Sequence, residues 1–181
     1  PDGCYYLINN NYYSSDIAAD EIRALVRMYR MDDRHRYLKS AINYAEWHLE
    51  KQLENGGWPL SVDKGGVTVA DYIGPGDIPN IAISMLLMHQ ETGEIKYLAS
   101  AVRAIQDSPF RDDPNTHWGF WSWDPKYDYT MSADQCTHHV RGYWFFLDYF
   151  LSLPEETQKA VADQVGQPEP PLPRVPEELF E

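Results

Sequence analysis

The sequence predicts an all-α chain of three helical hairpins, each about sixty residues long, and three observations carry that prediction. Apolar residues recur at helical spacing in separate stretches divided by short breaks of Asp, Gly and Pro. Tyr37-Leu38-Lys39-Ser40-Ala41 and Tyr97-Leu98-Ala99-Ser100-Ala101 repeat at an offset of sixty positions, and Ile22, Leu25 and Met28 fall on Ala82, Met85 and Met88 at the same offset. In each unit the first helix is more apolar than the second. Because a hairpin cannot bury its own apolar face alone, first helices are expected in an inner row and second helices in an outer one.

Taken in order, residues 1–13, PDGCYYLINNNYY, read as irregular or extended chain. Ser14-Ser15-Asp16 offers an N-cap, and Ile22, Leu25, Val26 and Tyr29 form the stripe of the first helix. After the break Met31-Asp32-Asp33, Tyr37, Leu38, Ala41, Ala45 and Leu49 mark a second helix running to about Leu53, where Asn55-Gly56-Gly57 ends it. A long Gly-rich connection follows, of the kind that carries function or folds over a neighbour. Asp77 caps the third helix, with Pro79 in its first turn, where a missing N–H costs little. That helix, IAISMLLMH, is apolar almost all round and should be an inner, buried one. Beyond Glu91-Thr92-Gly93, Leu98, Ala101, Val102 and Ile105 face the core from a fourth helix over about Ile95 to Gln106.

The third unit opens at Ser132-Ala133-Asp134-Gln135, a capping box in which Ser takes a backbone N–H and Gln reaches back to the N-cap N–H. Its first helix is expected over Asp134 to Leu151, with Val140, Trp144, Leu147 and Leu151 as its core face. The turn Ser152-Leu153-Pro154 leads to a polar sixth helix from Glu155 to about Val165. Residues 1–165 thus form the helical domain. Residues 166–181 form a Pro-rich tail without assigned chemistry.

At 181 residues the chain is long enough for one domain with a real core, and 43% hydrophobic with 24% charged residues is ordinary for a soluble globular protein. No apolar run approaches the ~20 residues that span a bilayer. A formal charge of −13 argues against nucleic acid and against anionic membranes, and allows an anionic substrate only where Arg and Lys gather locally. The start has neither Met nor a basic-apolar signal stretch, so a processed product or a segment of something longer is expected. Cys4 and Cys136 leave a disulfide and two thiols equally open, and no CxxC or Cys/His zinc spacing is present.

Chemistry concentrates between His117 and Asp148, HWGFWSWDPKYDYTMSADQCTHHVRGYWFFLD, which holds Trp118, Trp121, Trp123 and Trp144. Asp134, His138, Arg141 and Phe145 make a second helical stripe beside the core face. A carboxylate, an imidazole and a guanidinium therefore line one helix edge next to an aromatic loop. Such a cluster suits a polar ligand bound through ring faces and charge-assisted hydrogen bonds. The structural alternative is that Asp134 answers the helix dipole, Arg141 pairs with a neighbour and His138 is a satisfied histidine. Asp134 with His138, at i and i+4, is the one pairing that could share a metal, since His138 and the adjacent His139 point ~100° apart; no metal or other cofactor is assigned.

The run Glu50-Lys51-Gln52-Leu53-Glu54-Asn55-Gly56-Gly57-Trp58-Pro59 resembles the Gln, short loop and GGWP turn that closes helical hairpins in α/α-toroid proteins. Such proteins include carbohydrate-active enzymes similar to family 10 pectate lyases and, more distantly, the terpenoid-cyclase and prenyltransferase toroids. The likeness covers residues 14–165. It implies a partial α/α toroid with long functional loops, since three hairpins are visible where a full ring usually has six. The aspartate-rich motif of terpenoid cyclases is absent, and the lyase catalytic pattern does not transfer onto numbered residues.

The resemblance implies a mouth at the inner-helix N-termini, flanked by loops 54–76 and 107–131, with Asp71, Tyr72, Asp77, Trp118, Trp121, Trp123 and His139 binding substrate and Asp134, His138, Arg141 and Tyr143 as catalytic candidates. β-Elimination from a uronate needs a base at C5, for which His138 or Tyr143 is suitable, and a cation for the carboxylate, Arg141. Glycoside hydrolysis needs two carboxylates, Asp134 with Asp71 or Asp77. The expected function is a carbohydrate-processing enzyme, polysaccharide lyase or glycoside hydrolase, acting on a polysaccharide or oligosaccharide. The alternative is a non-catalytic glycan- or protein-binding or assembly module. A carbohydrate-active chain is expected to be secreted or periplasmic, and an open arc predicts a homo-oligomer or a companion chain that completes the toroid.

Overall fold

A computed structural model describes residues 6–7, 12–54, 56–59, 61–63, 77–107 and 144–165. It is all-α in character, with six helices packed as antiparallel pairs: α1 (Ser15–Asp32) with α2 (His35–Lys51), α3 (Asp77–Thr92) with α4 (Ile95–Asp107), and α5 (residues 144–152) with α6 (Glu155–Val165).

The sixty-residue offset is a spatial register. Arg30 on α1 bonds Gln90 and Glu91 on α3, and Arg23 bonds the Asn80 carbonyl and the Ser84 hydroxyl. His89 on α3 meets the hydroxyl of Tyr149 on α5 at 2.7 Å. Partners lie 57 to 61 positions apart in every case. The first helices α1 and α3 therefore run side by side in one direction, and α5 meets α3 at the same offset. In the other row, the Tyr97 hydroxyl and the Lys96 ammonium on α4 both bond Glu46 on α2, at 2.5 and 2.7 Å.

The first two hairpins turn alike. Asp33 and Gly93 both have positive φ, 50° and 72°, and their N–H groups bond the carbonyls of Tyr29 and His89 at 2.7 and 2.8 Å. This left-handed cap answers a carbonyl that the helix end leaves open. Just beyond it, Arg36 lies 4.8 Å over the Tyr37 ring and Lys96 lies 5.1 Å over the Tyr97 ring. All three turns share one further bond, with the carbonyls of Arg34, Glu94 and Pro154 taking the N–H groups of Tyr37, Tyr97 and Thr157.

The core sits mainly between the rows. On α3 the apolar residues Ile78, Ile81, Met85, Leu86 and Met88 are all buried, as expected for an inner helix, and Leu98, Ala101, Val102 and Ile105 meet them from α4. Ile22 and Val26 bury the stripe of α1, while Met28, at the position equivalent to buried Met88, is 43% exposed.

Two features differ from the sequence expectation. The extended start is part of a small antiparallel sheet in which β2 (Tyr12–Ser14) pairs with both β1 (Tyr6–Leu7) and β3 (Ser61–Asp63). On α5 the expected core face is turned outward, with Trp144 73% and Leu151 56% exposed, while Phe146 and Phe150 stack at 5.3 Å inside. Asp148, itself exposed, is the reason. It lies four residues after Trp144 and three before Leu151, so burying that stripe would bury an unpaired carboxylate.

The shared turn yields a stability test. A non-glycine residue in the left-handed region costs about 1–2 kcal/mol, less for Asp. Asp33→Gly is expected to raise the urea midpoint by an amount worth about 0.5 kcal/mol, and Gly93→Ala to lower it by about 1 kcal/mol.

Candidate functional site

At the N-terminal end of the first-helix row, the chain leaving α2 builds a dense hydrogen-bonded knot. The Gln52 amide donates to the carbonyls of Gly56 and Ser100, at 2.8 and 2.9 Å, and its own oxygen accepts from the Ser100 hydroxyl. Gly56, at φ 79°, provides the reversal that lets Leu53 N–H reach the Gly57 carbonyl. Trp58 is buried, with its indole N–H on the His48 carbonyl at 2.8 Å. The Ser15 hydroxyl donates to the Pro59 carbonyl at 2.6 Å. The GGWP turn thus joins α1, α2 and α4.

His48, fully buried, is the centre of this knot. Its Nδ1 lies 2.8 Å from the Tyr44 carbonyl and its Nε2 2.9 Å from the Ser15 carbonyl, with Trp47 and Trp58 packed edge-on around the ring. Both ring nitrogens thus face backbone carbonyl oxygens. These contacts are structural. They fix the start of α1 against the end of its hairpin.

A second arrangement runs along the flank of the row. A groove of about 620 Å³ opens over α1, with Ile83 and Leu87 of α3 and Phe145 of α5 in its lining. Arg23, Arg27 and Arg30, one per turn, form its basic edge. Arg23 is paired with Asp20 and with the Asn80 carbonyl, and Arg30 with Glu91. Arg27 is exposed and has no such bond among the described residues. The stripe is legible as arginine at i, i+4 and i+7. Reading α1 for its apolar stripe alone passes over it.

Between α3 and α5, His89 and Tyr149 form a neutral pair. Burial holds the His89 imidazole below the ordinary histidine range and lifts the Tyr149 hydroxyl above the ordinary tyrosine range. On Glu46, burial pushes the carboxyl up, but the hydrogen bonds from Lys96 and Tyr97 outweigh it and leave the group lowered. Burial, then the bond to Glu46, raises Tyr97. Among the described residues no group of three or more His, Cys, Asp or Glu is placed to hold a metal, and no helix is long and apolar enough to cross a membrane.

Of the residues singled out in the sequence, Asp77 is the first residue of α3, at the same end of the row as Ser15. Asp71, Tyr72, Trp118, Trp121, Trp123, Asp134, His138, His139, Arg141 and Tyr143 lie outside the described residues, as do Cys4 and Cys136. Phe145, the last member of the Asp134 stripe, lines the groove.

Two outcomes follow from these contacts. His48→Leu removes the imidazole contacts to the Tyr44 and Ser15 carbonyls and the ring packing against Trp47 and Trp58, and is expected to lower unfolding free energy by about 2–3 kcal/mol in urea titration. For His89 the folded value is depressed, so its contribution is complete above about pH 6.5 and is lost as pH falls through the folded value. The drop in urea midpoint between pH 7.5 and 5.5 should therefore be smaller in His89→Asn than in the parent protein. Compared with known proteins, the chain matches no family model and no curated protein.

Proposed function

We propose that the chain is a carbohydrate-processing enzyme, a polysaccharide lyase or glycoside hydrolase, whose hairpins form part of an α/α toroid. The observation that carries this reading is the parallel register of the first helices. Because α1 and α3 run in one direction and α5 meets α3 at the same offset of sixty, the position level with Asp77 at the start of α3 would be about residue 137, inside the segment that carries the candidate residues. The aromatic and charged segment from His117 to Tyr143 immediately precedes Trp144 in the sequence. One mouth at that end would collect Asp71, Tyr72, Asp77 and His139 with Trp118, Trp121 and Trp123 as a sugar-binding surface.

In that mouth Asp134, His138, Arg141 and Tyr143 carry the chemistry. In β-elimination, His138 or Tyr143 takes the C5 proton of a uronate, Arg141 balances the carboxylate, and the glycosidic oxygen leaves C4, taking a proton from water, as the C4–C5 double bond forms. In hydrolysis, Asp134 and a second carboxylate, Asp71 or Asp77, take the acid and base or nucleophile roles. A binding or assembly module is the second reading, favoured by the exposure of Met31, Trp144 and Leu151. Under it the partner is a glycan, a second copy or a companion chain.

The test is incubation with neutral and uronate-containing polysaccharides while following unsaturated-product absorbance and new reducing ends. The enzyme reading predicts one of these signals, lost at least about 100-fold in His138→Ala for a lyase or Asp134→Asn for a hydrolase, with polymer binding retained. A folded protein that produces neither signal contradicts it.

A further inference from the structure

We propose that the groove along α1 is a binding site for a monocarboxylate with an extended apolar chain, separate from the carbohydrate mouth. Three observations carry it. The groove follows α1 from Asp20 to Arg30, ten residues and so about 15 Å at the helical rise, and its 620 Å³ lies within the range of small-molecule sites.

Among the described residues its lining contains no side-chain amide, hydroxyl, Trp or Tyr. Among the described residues its polar lining groups are Asp20 and the three arginines, while half-buried Leu87 and Phe145, beside buried Val26 and Ile83, supply the apolar wall. A sugar would find little there to answer its hydroxyls or stack on its rings. An alkyl chain would cover what Leu87 and Phe145 leave exposed, at about 25 cal/mol per Å².

The charge inventory sets the number of anionic groups. Arg23 is occupied by Asp20, the Asn80 carbonyl and Ser84, and Arg30 by Glu91 and Gln90. Arg27, between them, is the groove guanidinium without a hydrogen bond or ion pair among the described residues. It suits one carboxylate, held as a two-pronged charge-assisted bond. With Arg23 and Arg30 paired to Asp20 and Glu91, Arg27 is the positive charge that this flank offers an anion in a chain of net charge −13.

The test is calorimetric titration of the full chain with octanoate, with acetate and octanol as the two half-ligands. The expected result is single-site saturation by octanoate, at least tenfold weaker binding of acetate and of octanol, and at least tenfold weaker octanoate binding by Arg27→Gln. Phe145→Ala should weaken octanoate while leaving the feeble acetate response unchanged. Absence of saturable octanoate binding, octanol binding equal to octanoate, acetate equal to octanoate, or an unaltered affinity in Arg27→Gln would each overturn the proposal. Polysaccharide turnover is read separately, so failure of either site leaves the other result intact.

Discussion

An antiparallel helix pair can bury only the sides that its two helices turn toward each other, and α3 has apolar residues on every side. That mismatch organises the molecule. With Ile78 through Leu86 almost wholly buried, α3 needs α4 behind it and a first helix on each flank. α1 and α5 take those places. At about 1.5–3 kcal/mol per fully buried large apolar side chain, this one helix supplies a large share of the gross driving force.

Apolar contact alone would tolerate sliding, and polar groups fix the register. Ser84 donates to the Ala19 carbonyl, Arg23 reaches Asn80, Arg30 reaches Glu91 and His89 meets Tyr149. Each ties a polar group on α3 to a neighbouring first helix. At the end of the row the Gln52, His48 and Trp58 knot adds the second constraint, tying the close of one hairpin to the start of α1 and to α4. The proposed mouth depends on both, because side chains that act on one substrate must come from helices held at a common end.

Much of this was legible in the residues. The repeat of Tyr37-Leu38 at Tyr97-Leu98 becomes a repeat of turn, cap and cation over ring, since the same short-range chemistry dictates all three. The first four helices end within about two residues of their expected positions because Asp33, Gly56 and Gly93 are strong punctuation. The face of α5 was harder. In Trp144-Phe145-Phe146-Leu147-Asp148-Tyr149-Phe150-Leu151 nearly every position is apolar, and only the placement of Asp148 decides which side faces water. Strands of two and three residues, as at Tyr6–Leu7 and Tyr12–Ser14, are too short for alternation to announce them. The candidate catalytic residues were legible as a motif, but their geometry falls outside the described residues, whereas the arginine groove emerges only when α3 and α5 are set beside α1.

The parallel register of the first helices is the claim on which the rest stands, and site-directed cross-linking tests it most directly. In a background with Cys4 and Cys136 replaced by serine, paired cysteines at Arg30 and Gln90 would be treated with a short bifunctional maleimide, alongside a pair at Arg23 and Gln90. The parallel register predicts rapid intramolecular cross-linking of the first pair and little of the second. Preferential cross-linking of Arg23→Cys with Gln90→Cys would mean that α1 and α3 run in opposite directions, and would contradict the account.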